Sequence, residues 1–201
     1  MNILIIFAHP KRDSFSGRIM DEFVKGVEFS GNEVQIFDLY KDDFKTDMSF
    51  SEYLRETGMK PEVSVSEDVK EYHNLLKKCD GLVFFYPVWW SDVPAKLKGW
   101  FDRVFSYGFA YKMPNDNIDI SFNIKKIGVY ATAGQTREKL QASGVYDAMK
   151  VLFLNDRIKF FNAPEKDFQV FDGITAKNAL GETHLEEARR IGQEFLNGSK
   201  S

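Results

Sequence analysis

The chain has 201 residues, enough to bury a sizeable apolar core as one domain without disulfides or structural metal. Its 27 basic and 30 acidic side chains leave a net charge of -3 and a pI near 5.7, so the basic field that nucleic-acid binding requires is missing. A single cysteine, Cys79, excludes an intrachain disulfide and a metal-thiolate cluster. It stands at the end of a helical pattern and reads as a small buried residue rather than a reactive thiol.

In chain order, apolar strand runs alternate with amphipathic helices. Residues 3–7 form a strand, Ile19, Met20, Phe23, Val24 and Val27 mark one helix face, and residues 33–38 form a second strand after the Gly31-Asn32 turn. Residues 40–61 then break the pattern with scattered Phe44, Met48, Phe50, Tyr53 and Leu54, too long a stretch for an ordinary connection, and suggest a functional or interface excursion. A helix over Val69, Tyr72, Leu75, Leu76 and Cys79 leads to a strand at 81–86 that is apolar on both faces. Pro94 opens the next helix, with Leu97, Trp100, Phe101 and Val104 on one face. A strand at 126–131 follows, residues 158–161 read as the last core strand, and Leu185, Ala188, Ile191, Phe195 and Leu196 stripe a closing helix. This alternation predicts an α/β fold, one doubly wound domain over residues 1–201 with a five-stranded parallel sheet and helices on both faces. The amino terminus is unlike a secretory signal and no stretch has the length of a membrane span, so the expectation is a cytoplasmic protein without an integral membrane segment.

Three loops should meet at the carboxyl edge of such a sheet: 8–17, 87–92 and 132–137. The first contains His9, Lys11, Arg12, Ser14 and Ser16 at the start of a helix, where free amides and the helix dipole attract phosphate. Ser14 or Ser16 also suits the plainer task of capping that helix. The loop is neither a G-x-G-x-x-G nor a P-loop, no G-x-S-x-G elbow occurs, and His9, His73 and His184 lack metal-ligand spacing. Trp89 and Trp90, adjacent between Pro87 and Pro94, offer a wall for a flat ligand; ordinary core packing at the sheet edge is the alternative.

Ala8-His9-Pro10, Pro87-Val88-Trp89-Trp90, Val93-Pro94-Ala95, Leu97-Lys98-Gly99-Trp100, Asp102-Arg103-Val104-Phe105 and Gly108-Phe109-Ala110-Tyr111 together resemble the NAD(P)H:quinone oxidoreductase (DT-diaphorase-like) family of the flavodoxin-like fold. The resemblance covers most of the chain in order. It implies a bound flavin, FAD more than FMN, with phosphates near His9, Ser14, Phe15 and Ser16 and the isoalloxazine between Pro87, Val88, Trp89 and Trp90 and Thr132, Ala133 and Gly134. It also implies NAD(P)H as co-substrate, two-electron ping-pong transfer to a quinone-like acceptor, Phe109 and Tyr111 in the substrate pocket, and a homodimer whose subunits complete each other's pockets. Where the family places a Tyr and a His to compensate charge on reduced flavin, this chain offers Tyr146 and Lys139. Two rivals are an electron carrier without NAD(P)H chemistry and an ancillary regulatory subunit of a potassium-efflux system.

Overall fold

A computed structural model describes residues 1–174 and 180–196. Five strands, β1 (Asn2–Phe7), β2 (Glu33–Asp38), β3 (Gly81–Pro87), β4 (Lys126–Thr132) and β5 (Glu165–Phe171), make one parallel sheet in the order β2-β1-β3-β4-β5. The helices are α1 (Phe15–Phe29), α2 (Phe50–Thr57), α3 (Glu67–Leu76), α4 (Ala95–Val104), α5 (Arg137–Ala142), α6 (Val145–Val151) and α7 (Leu180–Glu194). None of the helices among the described residues is long and apolar enough to cross a membrane.

Alternation along the central strands splits the core in two. Ile3, Ile5, Phe7, Val83, Phe85 and Tyr130 face α1 and α7, whereas Leu4, Ile6, Leu82, Phe84 and Tyr86 face the side of α3 and α4. The first layer is tight because α1 and α7 cross on glycines. A β-carbon on Gly26 would lie 2.1 Å from the Arg189 carbonyl oxygen, and one on Gly192 2.1 Å from that of Phe23. In the second layer Trp100 is fully buried among Tyr72, Phe84, Phe101 and Phe105. Cys79 is buried as expected, and burial pushes its thiol up to about 12.

One expectation is corrected. Residues 158–161 are not a strand: Ile158 follows a π-helical turn, Leu152–Arg157, and Lys159–Phe161 is a 3₁₀ turn. The last strand is β5, whose charged, partly exposed sequence reflects its place at the sheet edge, while the short apolar run before it packs Ile158 and Phe161 into the core as turns. The excursion after β2 contains a helix, α2. Ser49 and Glu52 form a reciprocal capping box that starts α2. Arg103 then clamps the segment to α4, donating to Glu52 (2.8 Å), Asp68 (2.7 Å) and the Lys45 carbonyl (2.7 Å).

Candidate functional site

Strand order reverses between β1 and β3, and the loops that leave their carboxyl ends flank the crevice this creates. The strand ladder continues into the loops and fixes them: Ala8 N–H donates to Phe85 O (2.9 Å), Val88 N–H to Thr132 O (2.8 Å) and Ala133 N–H to Phe171 O (3.0 Å). Buried Ser16 and Thr132 share a hydroxyl–hydroxyl bond of 2.6 Å that ties the first loop to the third. The rings of His9 and Trp89 approach to 6.2 Å between centroids. Sequence positions 8–17, 87–92 and 132–137 are therefore one cluster.

Within the first loop, Ser14 caps α1, its hydroxyl accepting from Gly17 N–H at 3.2 Å. The amides of Phe15 and Ser16, at the first two helical positions, have no acceptor within the helix. Lys11 N–H donates to His9 Nδ1 (3.0 Å), which leaves the ring proton on Nε2; burial lowers the imidazole below its ordinary value, so His9 is a neutral donor. The loop's cations are engaged elsewhere. Arg12 is paired through both terminal nitrogens with Asp21, and Lys11 lies 3.6 Å from Asp13. The loop thus offers neutral donors in its amides, Ser14 and His9, with the Arg12 charge taken up by Asp21.

The second loop is a tight hairpin. Trp89 and Asp92 exchange both backbone hydrogen bonds (3.0 and 3.1 Å), with Trp90 and Ser91 at φ 50° and 64°. Trp90 is 102% exposed and Trp89 42%, which rules out core packing for the Trp90 ring. Arg157 holds the hairpin from below, its Nη1 and Nη2 each donating to one Asp92 carboxylate oxygen at 2.8 Å. A shallow cavity of about 200 Å³ lies between Val88, Trp90 and Ser91 on one side and Ala133, Gly134, Gln135 and Leu140 on the other.

The structure separates the two proposed charge-handling residues. Lys139 is exposed on α5, while Tyr146 is buried against Phe168. The cation beside Tyr146 is Arg137, whose Nη2 donates to the phenol oxygen at 3.3 Å and whose Cζ stands 5.0 Å from the ring. Asp172 accepts from Arg137 N–H at 2.6 Å, and Arg137 Nε is buried with no partner among the described residues. Sequence reading missed this arginine because only the fold of α5 onto α6 brings it to Tyr146.

Phe109 and Tyr111 do not join the cluster. α4 runs away from the carboxyl edge, and Phe109 stacks on His73 at 3.6 Å near the end of α3, where the chain turns into β3. Phe109 and Ala110 are buried in their own chain, while Tyr111 is exposed and its hydroxyl donates to Glu56 of α2 at 3.0 Å. Tyr111 thereby meets the exposed face of α2, where Phe50, Tyr53 and Leu54 stand open. Phe44, by contrast, is buried beneath the Arg103 guanidinium, 5.0 Å away.

Comparison with known proteins agrees with this architecture. Residues 1–195 match the profile of a family described as having a flavodoxin-like fold. An uncharacterized NAD(P)H oxidoreductase of Haemophilus influenzae is 31% identical over 87% of this chain and 85% of its own length. NAD(P)H dehydrogenase [quinone] 1 of Cavia porcellus is 30% identical over 74% of this chain, which spans 59% of that protein. The solved NAD(P)H:quinone oxidoreductase of Methanothermobacter marburgensis superposes with a TM-score of 0.90 at 37% identity, covering 97% of this chain and 96% of that one. The five-stranded sheet, its loop cluster and these likenesses together make the chain a member of the NAD(P)H:quinone oxidoreductase family of flavodoxin-like enzymes.

Proposed function

We propose that the protein is a flavin-dependent oxidoreductase that passes hydride from NAD(P)H to a quinone or similar flat acceptor, the two substrates using one pocket in turn. Bound flavin, FAD in this reading with FMN as the smaller alternative, supplies a centre that takes up hydride and releases it. The observation that carries the reading is the meeting, at the β1–β3 crevice, of helix amides without acceptors in their own helix with a bare indole beside a cavity of mixed lining, Val88, Ala133 and Leu140 next to Ser91, Gly134 and Gln135. The residues present fit the group. Phe15 and Ser16 amides, the Ser14 hydroxyl and neutral His9 Nε2–H are donors suited to phosphate oxygens. At Gly134 an added β-carbon would meet only the Ile174 oxygen at 3.6 Å, so a ring system can approach the backbone there.

Each group then has a physical task. Pro87, Val88, Trp89 and Trp90 on one side and Thr132, Ala133 and Gly134 on the other orient flat ligands and keep water from their faces. Ser16 serves through its tie to Thr132, holding two loops at a fixed distance. Because Tyr146 accepts from Arg137, its own hydroxyl proton is free to be donated, and the adjacent guanidinium favours negative charge nearby. Arg137 thus takes the part that sequence alone gives to Lys139.

The cavity of one chain, about 200 Å³, falls below the roughly 300–1,000 Å³ usual for small-molecule pockets. A two-fold dimer in which the α2 and Tyr111 surface of each subunit closes the partner's pocket supplies the rest. Titration with FAD and FMN, followed by anaerobic mixing with NADH or NADPH, tests the reading: the flavin should bind and bleach without any protein partner. Failure to take up either flavin overturns it. Light scattering alongside activity across a dilution series tests assembly, and a fully active monomer removes the shared pocket.

A further inference from the structure

We infer that Arg157 is a positioning residue which, through Asp92, sets the shape of the 89–92 hairpin and so fixes where the Trp90 ring stands at the cavity. The inference rests on the reading of that cavity as the hydride-transfer site.

Two-residue hairpins with left-handed central residues ordinarily use glycine or asparagine, because a β-carbon in that conformation crowds the following carbonyl. Here the central residues are Trp90 and Ser91, at φ 50° and 64°. Neither recovers the cost by packing, since both are exposed and the Trp90 ring is wholly so. The restraint must come from outside the turn, and the structure contains one. Asp92 closes the turn through its backbone, accepts from Val93 N–H at 2.7 Å, and presents both carboxylate oxygens to the Arg157 fork at 2.8 Å each.

Arg157 is well placed to act as the fixed partner. It is the last residue of the π-helical turn and only 11% exposed, with its guanidinium 5.6 Å from the Phe101 ring and 5.9 Å from that of Phe153. Those rings belong to the α3–α4 side of the core, so the hairpin is referenced to the rigid body of the protein. A planar two-point fork fixes orientation as well as distance, which a lysine cannot do. Asp92 stays ionised: burial alone would raise its carboxyl, but the Arg157 and Val93 bonds prevail and hold it below the usual range. Glycines at positions 90 and 91 would make the same turn without that strain. The chain instead carries a large ring in a disfavoured conformation, and a buried arginine to keep it there.

The test uses the full chain labelled with 5-fluorotryptophan, which gives one fluorine signal for each of Trp89, Trp90 and Trp100; Trp90→Phe identifies the middle one. Arg157→Gln and Asp92→Asn should each broaden or shift the Trp90 signal while leaving that of buried Trp100 in place. The KM for menadione should rise about fivefold or more with kcat changed less than about twofold, the pattern of lost substrate placement. The double variant should be no worse than either single one, because both cut the same link. If Arg157→Gln disturbs Trp100 as well, Arg157→Lys, which keeps the charge without the fork, decides. An unchanged Trp90 signal in both variants overturns the inference, and so does a changed signal with KM unmoved. The spectra are recorded without flavin, so a protein that binds no flavin would sink the functional reading while the spectra still decide whether Arg157 holds the ring.

Discussion

A cavity of about 830 Å³ lies under segment 42–66 against α3 and α4, and a much smaller one of about 200 Å³ lies between the carboxyl-edge loops. In the larger, the two buried guanidiniums are satisfied within the chain. Arg103 serves Glu52 and Asp68, and Arg55 serves Glu56, the Val63 oxygen and the Tyr107 oxygen. Beside the smaller an indole stands bare, while in the neighbouring segments two amides lack acceptors within α1 and the buried Arg137 Nε has no partner among the described residues. The two places thus differ in hydrogen bonding as well as in volume. A polar group whose bonds are all made inside the chain supports a scaffold, and one left open is available to a ligand.

The sharpest way to break that contrast is Arg103→Ala. It removes the guanidinium shared by half-buried Glu52 and partly exposed Asp68, and by the usual worth of hydrogen bonds to charged groups it should lower stability by about 1.5–3 kcal/mol. Thermal melts will register this, and an unchanged melting point would mean that the network is ornamental. Trp90→Ala is the opposite case. With no buried area to lose, it should leave the melt of the flavin-free protein within about 0.5 kcal/mol. By analogy with stacking on bases, it should weaken flavin binding by roughly 1–3 kcal/mol, measured as a Kd.

His73 sharpens the same comparison by pH. Burial lowers its imidazole from the ordinary 6.5 to about 4, so the unfolded chain binds the proton more readily than the folded one between those values. Its contribution to stability is complete above pH 6.5 and is lost as the pH falls toward 4, on the order of 2 kcal/mol after allowing for partial solvent access. Urea midpoints of wild type and His73→Phe across that window should converge as the pH falls; parallel curves would exclude His73 as the source. The smallest effect is expected from Ser14→Ala, about 1 kcal/mol of helix capping. Its flavin affinity should fall further than its stability if the hydroxyl also meets phosphate.

Much of this was legible in the chain. β1, β3 and β4 are apolar on both faces, and such runs announce themselves; the loops that follow them inherit their places from handedness alone. β5 was not legible, because an edge strand with Glu165, Lys166 and Asp167 looks like surface, while the apolar residues 158–161 look like core strand and are turns. α2 hid in a short polar segment whose start is marked only by the Ser49–Glu52 box. At the site, Trp90 was legible as an unusual ring, but its hold was not. Asp92 and Arg157 are 65 positions apart, and Arg137 reaches Tyr146 only after α5 folds onto α6; neither contact leaves a periodic trace in sequence.

The glycine crossing of α1 and α7 gives the protein a mechanical property. α1 carries the free amides of Phe15 and Ser16 at one end, and Gly26 pins it to α7 about 15 Å further along the axis. The helix is thus a lever with its fulcrum far from the pocket. A methyl group at Gly26 or Gly192 would force the two rods apart, and a tilt of only about 5° there would swing the amide end by more than about 1 Å. A misplacement on that scale is enough to spoil catalytic geometry, so substitutions that touch no ligand, at the back of the molecule, are expected to be felt first at its mouth.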